Sequence, residues 1–315
     1  MSEQAATRDG FGQGMQDVAK HNTKVYAVCA DLTESMRLSN FEQQYPDRFV
    51  QVGVAEQSLV GVSAGLALAG KIPFAASFAV FSPGRSWDQI RVSVAYSNLN
   101  VKIVGGHAGL STGPDGATHQ ALEDIAMMRC LPNMKVVVPC DAAQAEAAVL
   151  ALAEDIGPAY LRLSRPKLPV LITDVHFEIG KAQELKKGED LTIIACGDSV
   201  HDALEASKLL NKQGISAQVI NMHTIKPLDV EAIITAANTT GRILTVEDHQ
   251  KFGGLGSAVA EVISQELNQK IKPEIRFDMV AVDDTFGESG SGNDLKKKYK
   301  IDSASIAKKA GDLLY

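Results

Sequence analysis

Strand-like and helix-like segments alternate from one end of this chain to the other, and that alternation narrows the fold more than any single motif. VYAVCADL (25–32), rich in β-branched and small residues, reads as a buried strand, and FVQVGVAE (49–56) as a second. QSLVGVSAGLALAG (57–70) has the small and apolar residues of a closely packed helix. KIPFAASFAVF and then WDQIRVSVAYSN, at helical spacing, lead to a third strand, VKIVGG (101–106). ALEDIAMMRCLPN reads as a short helix and MKVVVPC as a strand. DAAQAEAAVLALAEDI is an Ala-rich helix with Asp141 as its N-cap, and AYLRLSR is a further strand. Proline, charge and the lack of a sustained period from Pro166 to Asp190 mark a break. Beyond it the pattern restarts with LTIIACG, a helix near 200–212, SAQVINM, VEAIITAAN, RILTVED, SAVAEVISQEL and IRFDMVAVDD. The expected fold is α/β: two domains, 1–168 and 191–315, joined by a linker at 169–190, each a largely parallel sheet covered by helices. Ligands of such sheets gather beyond the carboxyl ends of the strands. Asp31, Glu56, His107 and Arg165 all follow strand-like runs at that edge.

Composition removes several functions. At 315 residues the chain exceeds one ordinary core. With 31 basic and 38 acidic residues it carries no broad basic field for nucleic acid. The first residues show no basic-then-apolar run, and Gly, Ser or charge interrupts every long apolar stretch. A secreted or membrane-spanning protein is therefore not expected, and a cytoplasmic one is. Four cysteines, Cys29, Cys130, Cys140 and Cys196, form no metal-ligand spacing and read as buried free thiols. Lys296, Lys297 and Lys298 read as a solvated helix face.

GHAGLSTGPDGATHQ (106–120) places two of only seven histidines, His107 and His119, around Asp115 and four glycines. Turn-forming residues account for the composition of such a loop, but not for its histidines. Glu56 stands where GVAEQ turns from strand to helix. A carboxylate there suits the helix dipole, and its apolar neighbours Val54, Ala55, Leu59 and Val60 equip it to share a proton with a ligand nitrogen. Phe78 and Phe81 in SFAVFSPG are core residues by type, yet as a pair they are spaced to bracket a flat heteroaromatic ring. Arg8, Ser35 and Arg165 are unremarkable singly and together make a clamp for a phosphate monoester. KFGGLGSAVAE (251–261) is a glycine-rich turn into a helix and, alone, weak evidence for a dinucleotide. His201, His223 and His249 receive no role.

Taken in order, the segments resemble the C-terminal half of transketolase. ATR (6–8), ADLTES (30–35), GVAEQ (53–57), SFAVFS (77–82), GGH with GPDGATHQ (105–120), LRLSR (161–165) and DTFGESG (284–290) carry the resemblance, which spans essentially the whole chain. It implies a pyrimidine-binding domain followed by the transketolase C-terminal domain, with thiamine diphosphate as cofactor. Glu56 would then contact the pyrimidine nitrogen, and Phe81, with Phe78, would flank the ring. Asp31 belongs to the same cofactor-binding set. His107 and His119 would meet the donor sugar's oxygens, Asp115 a sugar hydroxyl, and Arg8, Ser35 and Arg165 the substrate phosphate.

Two departures stand out. Gly84 occupies the place of a third aromatic, and the chain has no G-D-G…N segment to hold the diphosphate and its Mg2+. The resemblance thus implies an N-terminal partner subunit carrying that half-site, in an assembly of two plus two chains acting on sugar phosphates. Rival readings are a 1-deoxyxylulose-5-phosphate synthase-like enzyme and the beta subunit of a 2-oxo-acid dehydrogenase. A non-catalytic scaffolding subunit ranks last, because Glu56, His107, Asp115, His119 and Arg165 are all present.

Overall fold

In the computed structural model, which describes residues 4–172, 177–272 and 274–315, the alternation resolves into two parallel-rich sheets flanked by helices. The first sheet contains β1 (Val25–Cys29), β2 (Phe49–Gln51), β3 (Ile72–Phe78), β4 (Lys102–Gly106), β5 (Lys135–Val137) and β6 (Ala159–Arg162). Their order is β5-β6-β4-β3-β1-β2, every neighbouring pair parallel. Val28 lies opposite Val50 on one side and Ala75 on the other, and helices cover both faces. That is why these strands read as unbroken apolar runs rather than alternating ones. The second sheet takes β7 (Gln183–Lys186), β8 (Leu191–Ala195), β9 (Ala217–Asn221), β11 (Arg242–Gln250) and β12 (Arg276–Val282) in the order β12-β11-β8-β9-β7. Only β7 runs antiparallel there. It falls inside the segment 169–190; Thr173, Asp174, Val175 and His176 of that segment lie outside the described residues.

One strand ties the two halves together. β10 (Thr224–Lys226), from the second half of the chain, pairs antiparallel with β5 and closes the edge of the first sheet. Lys226 then donates to the carbonyls of Arg129 and Leu131. Such a short run carries no periodicity of its own, so sequence pattern passes over it.

The helix Thr7–His21 is also hidden in the sequence. Glycines at 10, 12 and 14 argue against helix by propensity. Their use is close approach: a Cβ at Gly10 would stand 1.9 Å from the Ala142 carbonyl oxygen, so only glycine lets this helix pack on Ala142–Glu154. Phe11 and Met15 are completely buried.

Asp141 caps the helix Ala142–Glu154 as its sequence signal requires, accepting the Gln144 N–H at 2.8 Å. Its second oxygen accepts the N–H groups of Leu171 and Ile172 at 2.6 and 2.8 Å. Asp141→Ala strands three donors in a fully buried position. We expect a loss of about 3 kcal/mol, read as a lower urea midpoint at unchanged slope.

Two surface expectations are corrected. Lys297 and Lys298 face solvent, but Lys296 is buried, 2.7 Å from Asp202 and 3.3 Å from Asp198. The helix Gly292–Lys298 turns Lys296 inward, where those two carboxylates receive its ammonium group. Cys29, Cys140 and Cys196 are buried free thiols, whereas Cys130 is exposed at the C-cap of the helix Asp124–Arg129. Among the described residues no helix is long and apolar enough to cross a membrane.

Candidate active site

β4 delivers the chain into the 106–120 loop in a strained conformation: His107 has φ 55°. The ring is 3% exposed and is sandwiched between charge and an aromatic face. Arg8 Nη1 lies 3.0 Å from His107 Nε2, and a guanidinium can only donate, so Nε2 accepts and Nδ1 carries the proton. Burial, with Arg8, Arg165, Arg37 and His119 nearby, pushes the imidazole pKa down to about 3. His107 is therefore neutral throughout the working pH range, and its Nδ1 is a buried donor with no partner among the described residues. The Phe78 ring covers one side, with centroids 3.9 Å apart.

The rest of the loop stands beside it. The His119 ring lies edge-on to Phe81 at 5.3 Å and to Phe78 at 6.4 Å, with Thr118 Oγ1 2.9 Å from its Nδ1. Asp115 lies 3.5 Å from Arg165 Nη1, which also donates to the Thr112 carbonyl at 2.6 Å. Thr112 in turn donates its hydroxyl to the His107 carbonyl. Arg8 reaches the Ser35 carbonyl at 3.2 Å, and desolvation lowers its pKa from the usual arginine value. Gln120 donates to the carbonyl of Glu288 at 2.9 Å, fastening the end of the loop to DTFGESG.

Glu56 is the first residue of the helix Glu56–Leu68 and is 4% exposed. Arg85 Nη1 stands 3.3 Å from each of its oxygens. The same guanidinium lies 4.3 Å over the Phe81 ring. Arg85 thus bridges the two groups expected to hold one end of a ligand, and sequence reasoning passed over it. No motif marks it in the sequence, because its place depends on Glu56 and Phe81 being brought to it. Any ring that pairs with Glu56 and stacks on Phe81 has to displace Arg85, whose side chain is 54% exposed and free to move into solvent.

Direct contacts therefore connect Glu56, Arg85, Phe81, Phe78, His119, His107, Arg8 and the Ser35 backbone, with Arg165 and Asp115 joined through Thr112. Asp31 stands apart. It is exposed with φ 58°, and its own N–H is bonded to Gln51 Oε1 at 2.7 Å. Phe78 and Phe81 lie nearly parallel, 6.0 Å apart. Admitting a ring between them takes two stacking distances, about 7 Å, so no ring-wide slot stands open between the two.

The glycine-rich turn at 251–256 is occupied from within. Glu247 accepts the Leu255 and Gly256 N–H groups at 2.7 and 2.8 Å, so the start of that helix already holds its anion. Among the described residues, no group of three or more His, Cys, Asp or Glu side chains is placed to hold a metal ion.

Two family descriptions match the chain: the transketolase pyrimidine-binding domain over residues 3–170 and the transketolase C-terminal domain over 180–306. An apulose-4-phosphate transketolase subunit of Phocaeicola vulgatus is 40% identical, covering 97% of this chain and 96% of that one. The 6-deoxy-6-sulfo-D-fructose transketolase subunit of a Clostridium species is also 40% identical, covering 97% and 94%. A solved structure described as a split gene transketolase, inactive beta4 tetramer, superposes with a TM-score of 0.90 at 45% identity, covering 98% of each chain.

Proposed function

The chain belongs to the transketolase family, and from that premise we propose that it is the C-terminal subunit of a two-chain, thiamine diphosphate-dependent transketolase. It transfers a two-carbon ketol unit from a ketose phosphate to an aldose phosphate. The observation that carries this reading is that one half-exposed guanidinium, that of Arg85, spans the buried Glu56 carboxylate and the Phe81 face where a ring would lie, with Phe78 and then His107, its Nδ1–H without a partner among the described residues, next in contact. A buried carboxylate beside an aromatic face fits an aminopyrimidine, and a neutral buried N–H donor fits an oxygen that gains negative charge.

Thiamine diphosphate, when bound, supplies the carbon nucleophile and the electron sink. This chain's residues supply the rest. Glu56 holds a proton against a ring nitrogen, in a site from which Arg85 has withdrawn. His107 donates from Nδ1 to the reacting oxygen, while Arg8 fixes its tautomer by donating to Nε2. His119 donates beside it, and Asp115 reads a sugar hydroxyl. Arg8 and Arg165, at the mouth, hold the terminal anion of the sugar. Ser35, whose carbonyl Arg8 meets, completes the mouth; Asp31, set apart, is given no part. The diphosphate and its Mg2+ are assigned to an N-terminal subunit with a G-D-G…N segment, and the assembly to two copies of each chain in the cytoplasm.

The relatives are named for a phosphate sugar and a sulfonate sugar, so the terminal anion is the feature to test. Arg165→Ala in the assembled enzyme is expected to lower kcat/KM for a sugar phosphate roughly 30-fold, the equivalent of one charge-assisted hydrogen bond of about 2 kcal/mol. Hydroxypyruvate, which has no such anion to hold, should lose far less. Equal losses for the two donors would make Arg165 merely the tie between Asp115 and Thr112. Turnover of pyruvate in place of either donor would favour the synthase-like or dehydrogenase-like reading.

A further inference from the structure

Asp248, on β11 of the second sheet, sends its carboxylate into the loop that carries His107. Oδ1 accepts the Leu110 N–H at 2.9 Å, and Oδ2 accepts the Ser111 N–H at 3.2 Å. The residue is 2% exposed. The loop is shaped to receive it: Gly109 has φ 80°, and a Cβ there would stand 2.2 Å from Asp248 Oδ2. The backbone of Asp248 is held as well. Its carbonyl accepts from Arg162 Nη2 at 2.8 Å, while Arg162 Nε donates to Asp124 at 2.8 Å.

Position gives this contact its meaning. Leu110 and Ser111 lie between His107 and Thr112, and Thr112 touches both the His107 carbonyl and Arg165. Fixing two successive N–H groups fixes the whole turn on which these side chains stand. We infer that Asp248 is a positioning residue, reaching from the second sheet to hold the Leu110–Ser111 turn so that His107 and the Asp115–Arg165 pair keep their places in the site. The catalytic part of this rests on the function proposed above; the fastening of the turn does not.

The carboxylate form makes the pin. Ionised, it offers an acceptor to each N–H; protonated, it keeps one good acceptor and adds a donor where an N–H already points. The charged groups facing it are Asp198 at the end of β8, Lys296 from the helix Gly292–Lys298, and Arg162 from β6. Burial and Asp198 raise its pKa to about 6, against the pull of Lys296 and Arg162. Its folded pKa lies above the unfolded one, so ionisation costs stability as pH rises through about 6, and the pin forms over that same interval.

The test begins with Asp248→Asn in the full chain, followed by residue-resolved amide hydrogen exchange. Leu110 and Ser111 should exchange at least about tenfold faster, while the amides of β4 and β11 keep their protection. In the assembled enzyme, with hydroxypyruvate as donor so that no substrate phosphate titrates, kcat should fall while the half-saturation for thiamine diphosphate stays put. The parent's kcat should decline on the acid side as Asp248 is protonated, and that decline should be absent from the variant's profile. Unchanged exchange at the two amides would overturn the inference, and so would uniform acceleration across both sheets. If exchange responds but no ketol transfer is found in any assembly, the pin stands and the proposed function falls. Should Asp248→Asn fail to fold, the parent alone gives the answer: Leu110 and Ser111 protection must weaken relative to β4 as acid protonates the Asp248 carboxylate that accepts from both, and unchanged relative protection would overturn the inference.

Discussion

Glu56→Gln is expected to fold like the parent and to lose at least about a hundredfold of ketol-transfer activity in the assembled enzyme. Folding survives because the change takes away a buried charge, and the partner left behind, Arg85, is half exposed, 3.3 Å away and able to turn to water. Function does not survive, because an amide keeps the shape of the carboxyl group but cannot share its proton with a ring nitrogen. The loss should appear in the rate at which the bound cofactor exchanges its reactive carbon-bound hydrogen for deuterium. Unchanged exchange would return Glu56 to the role of a helix-start carboxylate.

His107→Ala is expected to cost on the order of 10²- to 10³-fold in kcat, with cofactor affinity nearly unchanged. The Nδ1–H is already desolvated and unpartnered, so it needs no reorganisation to meet an oxygen that becomes charged. Removing the ring also takes from Arg8 one of two acceptors, leaving the Ser35 carbonyl, and takes away the surface on which Phe78 packs. His107→Gln keeps a donor and should recover part of the loss. The pH dependence has a definite sign. With a folded pKa near 3, below the unfolded value of about 6.5, the unfolded chain binds more protons between those limits. Stability should therefore fall as pH drops through about 6.5 towards 3, and His107→Gln should make that decline shallower. A variant with wild-type turnover would leave the 106–120 loop as a turn and nothing more.

Much of the fold was legible because its strands are buried on both faces and so announce themselves as continuous apolar runs. VYAVCADL, VKIVGG and LTIIACG emerged as strands at 25–29, 102–106 and 191–195, their ends within three residues of where they were expected. What escaped was set by tertiary contact. The helix Thr7–His21 exists despite its glycines because they allow it to approach Ala142–Glu154. β10 is a strand only because β5 offers it an edge. Lys296 carries no sequence mark distinguishing it from Lys297, since its burial depends on Asp198 and Asp202, far away in the chain.

The site divides in the same way. Motif spacing singled out Glu56, His107, Asp115, His119 and Arg165, and the fold brings them into one chain of contacts. Arg85 and Asp248 were not, because each matters only through a residue that another segment brings to it. The slot expected between Phe78 and Phe81 reflected their spacing of three without the ring geometry, which brings the rings too close together to admit a third.

We propose that this chain holds half of a site and becomes an enzyme only with the other half. The most direct test is a titration: the purified chain is added to an N-terminal subunit carrying the G-D-G…N segment, with thiamine diphosphate and Mg2+, and ketol transfer from a sugar phosphate is followed. The expected result is no turnover from either chain alone, and turnover that rises on mixing and saturates at equal amounts of the two. Ketol transfer by this chain alone, at the rate of the mixture, would contradict the account.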